Sequence, residues 1–229
     1  PLIPRKKGKG IELLFNYISY LISASIQVVF IAKSNFHAIF VHEPSPITVG
    51  IPAIVLKKIK KIPIYFWALD LWPESIKAAG NVNSKLIYFF ALKITKFIYK
   101  HSDKILVSSE GFIQSIINKG VPKHKIIFFP QWAESIFNPK ITKKLKYKTT
   151  FPDGFIVMFA GNIGEAQDFE SILKSADHLR SEKSIYWIII GSGRKENWVK
   201  QEIKNRKLEH NVWLLGRFPI EEMPELYAY

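Results

Sequence analysis

Apolar runs and amphipathic segments alternate along most of the 229-residue chain, and that alternation predicts an α/β fold built on parallel sheets. Two further observations refine the expectation. The apolar runs are short, rich in β-branched and aromatic residues, and end at Gly, Pro or Ser-rich turns, as strands buried on both faces do. Pro139 to Thr150 is polar, cationic and without an apolar period, so it reads as a linker between two such sheets.

The elements follow in order. Ala38–Val41 is a strand ending at His42-Glu43-Pro44, and a helix follows over Thr48–Lys58. Ile62–Ala68 is the next strand, ending at Asp70. Lys85–Lys100 is a long helix, Lys104–Val107 a strand, Glu110–Lys119 a helix and Lys125–Phe129 a strand. After the linker the pattern restarts with strand Phe155–Ala160, helix Asp168–Ser181, strand Ile185–Ile190, helix Glu196–Lys207, strand Asn211–Leu215 and a short helix near Glu222–Tyr229. The domains expected are 1–139, a basic linker 140–150, and 151–229.

Composition bounds the chemistry. Apolar residues make up 48% of the chain and charged residues 23%, enough for real cores. There is no cysteine, which excludes disulfides, thiolate catalysis and Cys-ligated zinc. The net charge of +14 is unevenly spread. Residues 1–150 carry 23 Lys/Arg against 7 Asp/Glu, while residues 151–229 carry 10 against 12. A basic half suits an anionic membrane surface, an anionic substrate or nucleic acid. No nucleic-acid-binding module is recognisable, so nucleic acid is not expected as a partner.

Two segments are ambiguous. Leu13–Ala32 has no charged residue and cationic flanks, as a membrane span would. Asn16, Ser19, Ser23, Ser25 and Gln27 interrupt it, which favours a packed or membrane-apposed helix. The helix over 85–100 sets Leu86, Ile87, Phe89, Phe90, Ile94 and Phe97 among Lys85, Lys93, Lys96 and Lys100. Such a stripe packs into a core or lies in a bilayer interface.

In parallel α/β sheets ligands bind beyond the C-terminal ends of the strands. The first half offers His42-Glu43-Pro44, Asp70-Leu71-Trp72-Pro73-Glu74-Ser75 and Ser108-Ser109-Glu110 there. The second offers Gly161-Asn162-Ile163-Gly164, Gly191-Ser192-Gly193-Arg194 and Gly216-Arg217. One half presents carboxylates, hydroxyls and an imidazole, the other glycines and arginines. A glycine turn leading into a helix is an anion site in outline, because first-turn amides lack helical partners. The spacing is neither a dinucleotide fingerprint nor a P-loop. No Asp-x-Asp pair or His/Asp/Glu cluster suggests a metal.

LDLWPES (69–75), SDKILVSSEGF (102–112), KGVPKHKI (119–126), FAGNIGEAQ (159–167), IIIGSGR (188–194) and NVWLLGRFPIEEMPELY (211–227) together resemble a known family. The chain is similar to retaining GT-B glycosyltransferases of family 4, in particular the bacterial, WbuB-like branch that builds surface polysaccharides such as O-antigen and capsule. The resemblance implies two Rossmann-like domains facing across a cleft, the first taking the acceptor and the second the nucleotide-sugar. It implies transfer of an amino or deoxy sugar from a UDP-linked donor to a polyprenyl-diphosphate-linked or saccharide acceptor. It also implies no metal, no cofactor beyond the donor, and a cytoplasmic enzyme lying on the inner face of the plasma membrane. The acceptor-side candidates are Asp70, Glu74 and His42. The donor-side candidates are Gly161, Asn162, Gly164, Gln167, Gly191, Gly193, Arg194 and Arg217.

The pattern also departs from that family. Asn162 and Gln167 stand where many members have an Arg and a Lys that grip the diphosphate. Ala68 and Leu69 precede Asp70 where many members carry a His. The family's E-x7-E segment is expected beyond Tyr229 and its opening strand before Pro1, which implies a piece without activity of its own. The rival readings are a nucleotide-sugar epimerase of the same fold and a non-catalytic, membrane-associated scaffold.

Overall fold

The computed structural model describes residues 3–4, 10–78, 84–138, 151 and 153–228. The chain divides into two compact units, Pro1–Lys77 with Asn81–Gln131, and Ala78–Gly80 with Trp132–Tyr229. The division falls before residue 139 because Trp132–Asn138 goes with the second unit, where Phe137 sets its ring 5.9 Å from that of Tyr227. The segment read as a linker, 140–150, lies outside the described residues.

The first unit opens with helix α1 (Gly10–Ile31) and continues as β1 (Ile39–Glu43), α2 (Gly50–Lys60), β2 (Ile64–Ala68), α3 (Glu74–Ala78), α4 (Lys85–His101), β3 (Lys104–Val107), α5 (Gly111–Asn118) and β4 (Ile126–Phe128). Its strands lie in the order β1-β2-β3-β4, all parallel. The core side of this sheet carries Val41, Ile64, Phe66, Ile105 and Val107, packed on Ile54, Ile98, Tyr99 and Ile116 of the helices. Each such side chain buried is worth about 1.5–3 kcal/mol. One carboxylate links helix, turn and sheet: Asp103 accepts from the Ile64 amide at 2.7 Å and from Lys57 of α2 at 2.6 Å.

The two ambiguous helices resolve unexpectedly. α1 packs against α2, yet it buries Asn16 and Ser19 and exposes Phe15, Ile18, Ile22, Ile26 and Phe30. Local bonding explains the inversion: Asn16 donates to the Ile3 carbonyl at 2.6 Å, and Ser19 accepts from the Ile3 amide at 3.2 Å. Among the described residues no helix is long and apolar enough to cross a membrane. α4 is capped by Ser84, whose hydroxyl accepts from the Ile87 amide at 3.4 Å. Only part of its apolar content enters the core. Ala91, Ile98 and Tyr99 are buried, whereas Leu86, Phe89, Phe90 and Phe97 are 45–65% exposed.

The second unit runs β5 (Phe155–Asn162), α6 (Phe169–His178), β6 (Ile185–Ser192), α7 (Glu196–Asn205), β7 (Val212–Gly216) and α8 (Met223–Leu226). Its sheet, β5-β6-β7, is parallel and covered on both faces. One face packs Phe169, Leu173, Val199 and Ile203 against Ile189, and the other packs Phe151 and Leu226 against Ile188 and Ile190. β5 and β6 each run two residues beyond their apolar cores, because Gly161 and Asn162 stay in register with Gly191 and Ser192.

Candidate functional site

At the C-terminal ends of β1 and β2 the first unit gathers carboxyl groups. Parallel pairing places Glu43 opposite Ala68, and the Leu69 amide donates to the Glu43 carbonyl at 3.3 Å, so the turn bearing Asp70 starts beside Glu43. Asp70 is half-buried. Burial raises its pKa, while the Leu71 amide and the Ser75 hydroxyl pull the other way. Glu74 begins α3 and pairs with Lys119 at 2.7 Å and the Ser115 hydroxyl at 3.0 Å. Burial works to raise its pKa, but the Lys119 hydrogen bond leads the contributions that outweigh it, and Glu74 titrates below its ordinary value.

His42 does not join this group. Side chains alternate along a strand, so His42 lies on the face opposite Glu43. It is exposed, with its ring 5.4 Å from Trp67. The residue the sequence reading passed over is Glu43 itself. It is fully buried, and neither carboxyl oxygen has a hydrogen-bond partner of normal geometry among the described residues. Burial, then the neighbouring Asp70 charge, push its pKa up to about 8. The signal was present in the sequence: Glu43 stands two residues after core-facing Val41, hence on the same face.

The second unit joins its two glycine turns into one structure. Gly191 has φ 137°, and its missing side chain leaves room for the Gly161 carbonyl. Gly193 likewise lies against the Ile163 backbone. The Ile163 amide donates to the Ser192 carbonyl, and the Lys195 amide to the Ile163 carbonyl, each at 3.0 Å. Lys195 also reaches Glu165 at 2.8 Å. Close backbone packing therefore accounts for glycine at 191 and 193 without a ligand. Gly164 is enclosed by Asn162 and Gln167, whose side-chain atoms lie 2.5 and 2.9 Å from where a Cβ would sit.

The helix after the first turn starts later than its sequence period suggested. Glu165–Gln167 forms a 3-10 turn, and α6 begins at Phe169, capped by Asp168, which accepts from the Ser171 amide at 3.4 Å and its hydroxyl at 2.6 Å. A carboxylate thus already occupies that helix N-terminus. α7 begins after Gly191-Ser192-Gly193-Arg194 with no side-chain cap; its Glu196 amide donates to the Gly193 carbonyl at 3.2 Å, and Glu196 places a carboxylate in that first turn. Arg194 and Arg217 are exposed beside the ends of β6 and β7. Among the described residues no group of three or more His, Asp or Glu side chains is arranged to hold a metal ion.

The two units are each a parallel α/β sheet with polar turns at the C-terminal ends of its strands, and the fold is of the GT-B class. Solved structures of that class match it. Sucrose-phosphate synthase from Thermosynechococcus elongatus superposes with a TM-score of 0.70 at 15% identity, over 93% of this chain and 53% of its own. Anabaena HepE, solved with UDP-glucose, gives 0.66 at 13% identity, over 89% and 53%. A UDP-N-acetylglucosamine 2-epimerase gives 0.55 at 10% identity, over 99% and 55%. Residues 141–229 match the family model for glycosyl transferases group 1. In sequence, a protein of Escherichia coli (strain K12) named as a colanic acid biosynthesis glycosyl transferase, WcaI, is 29% identical over 131 residues, which are 55% of this chain and 31% of that protein. A Methanocaldococcus jannaschii protein named as a glycosyltransferase, MJ1059, is 26% identical over 186 residues, 76% of this chain and 44% of its own length. The chain thus spans less than half of both curated relatives.

Proposed function

We propose that the chain belongs to a retaining, metal-independent family 4 glycosyltransferase of the WbuB-like kind. It would move an amino or deoxy sugar from a UDP-linked donor to a polyprenyl-diphosphate-linked or saccharide acceptor in surface polysaccharide synthesis. The observation that carries this reading is the match of residues 141–229 to glycosyl transferases group 1, with exposed Arg194 and Arg217 at the ends of two strands of that segment. WcaI, named for colanic acid biosynthesis, and HepE, solved with UDP-glucose, support the substrate class.

The chemistry follows from the groups present. A departing nucleoside diphosphate gains negative charge as the glycosidic bond breaks. Arg194 and Arg217 offer full positive charge to stabilise it, beside the N-terminal turn of α7, which has no side-chain cap. Asn162 and Gln167 supply polar contacts rather than charge. On the acceptor side Asp70 would take the hydroxyl proton, a reading supported by the commitment of Glu74 to Lys119.

The same reading places the first unit on the cytoplasmic face of an anionic membrane. Exposed Leu86, Phe89 and Phe90 on α4, together with its lysines, fit a bilayer interface. A cavity of about 340 Å³ near the end of α4, to which Lys96, Lys100 and Lys125 contribute, fits anionic headgroups.

Saturation-transfer NMR on the chain with UDP and UDP-sugars tests the donor reading. Binding of UDP that an excess of UDP-sugar displaces is the expected result. No response to any nucleoside-diphosphate-sugar overturns it. Conversion of UDP-sugar without acceptor would favour the epimerase.

A further inference from the structure

We propose that Glu43 is a positioning residue: its carboxylic acid, buried under the Leu69–Asp70 turn, sets where the Asp70 carboxylate is held. The inference rests on the acceptor-side reading of Asp70 for its functional meaning, but its structural content stands apart.

Glu43 is the last residue of β1 and points into the core side of the sheet, with 0% of its surface exposed. Its carbonyl accepts from the Leu69 amide at 3.3 Å, which ties the strand end to the turn. The Leu69 and Asp70 amides are the backbone groups that favour its charged form, and they do not overcome burial. A buried carboxylate without a salt bridge or full hydrogen bonding is costly, so the group keeps its proton.

Among the described residues the surroundings of Glu43 supply no free cation. From α4, Tyr99 faces the same region; its hydroxyl is buried and unpartnered among the described residues, and burial followed by the Glu43 charge raises its pKa. From α3 comes Glu74, and the Lys119 that follows α5 is spent on it. The Thr48 hydroxyl, after β1, is likewise buried without a partner. His42 lies on the opposite face. Asp70 is less buried than Glu43, so the single negative charge of the pair belongs on Asp70. When Glu43 releases its proton to solvent, two like charges meet at the turn, and the turn must move.

The experiment is a carboxyl ¹³C and amide ¹⁵N NMR titration of the whole chain as wild type, E43Q, E43L and D70N. In wild type one glutamate carboxyl titrates near pH 8, and the Leu69 and Asp70 amides follow it. In D70N that midpoint falls. In E43Q the Leu69 and Asp70 amide shifts at neutral pH match wild type and their alkaline transition disappears. E43L shifts both amides at neutral pH. If E43L does not fold, E43Q and D70N still decide. Titration of Glu43 in the ordinary carboxylate range, or Asp70 signals indifferent to it, overturns the proposal. None of these readouts needs turnover. Where the titration behaves as described but no sugar is transferred, the transferase reading has failed and the positioning role stands. Where transfer is measured, E43Q keeps activity at neutral pH and loses the alkaline limb of the rate profile.

Discussion

Gly191 lies against Gly161 so closely that the Gly161 carbonyl takes the space a side chain at 191 would need. Residue 191 also has φ 137°, a backbone region L-residues rarely adopt. Gly191→Ala is therefore expected to cost on the order of 3 kcal/mol or more. Gly161→Ala meets only the Phe159 ring at 3.5 Å, an ordinary contact, and is expected to cost under about 1 kcal/mol. Urea denaturation of the two variants checks the contrast.

Glu43 makes stability depend on pH with a definite sign. Its folded pKa, about 8, lies above the ordinary 4.5, so the folded state holds a proton the unfolded state has lost. The favourable contribution is complete below the unfolded value and disappears as pH rises through the folded one. Across that window wild type loses up to about 1.4 kcal/mol per pH unit. Glu43→Gln removes the loss. It is expected to match wild type near pH 4 and to be clearly more stable at pH 8, measured by thermal or urea unfolding.

Asp103 runs the other way. Burial works to raise its pKa, but the Lys57 hydrogen bond and the Ile64 amide outweigh it and hold the group below its ordinary range. Its contribution is present at neutral pH and is lost as pH falls through the folded value. Asp103→Asn is expected to cost about 1–2 kcal/mol at pH 7, with a smaller difference from wild type in acid. Parallel unfolding curves at the two pH values decide it.

Arg194→Ala is expected to weaken UDP binding about tenfold or more without lowering the unfolding midpoint, because the side chain is exposed and outside the cores. Arg217→Ala is expected to act in the same direction and less strongly. Saturation-transfer NMR alongside thermal unfolding separates lost binding from lost fold.

On α4, replacing Phe89 and Phe90 together by Ser is expected to reduce co-sedimentation with vesicles containing phosphatidylglycerol severalfold while leaving the fold intact, since both rings are half-exposed. Undiminished binding would remove that helix from the interface.

Much of the fold was legible in the sequence, because strand-length apolar runs and helical stripes point to one architecture. Lys104–Val107 has the bounds its pattern gave. Three places were not legible, each for a physical reason. β5 runs on through Gly161 and Asn162 because β6 matches them pair for pair, which no local pattern records. α1 turns Asn16 and Ser19 inward because Ile3 supplies their partners from outside the helix. Glu43 looked like a polar strand end, whereas strand alternation from Val41 carries it into the core.

The bonds from Ile163 to Ser192 and from Lys195 to Ile163 join the two glycine turns backbone to backbone. Neither loop can be redesigned alone. A change of length in one strips partners from the other, so 161–167 and 191–195 form one structural cassette that must be exchanged together.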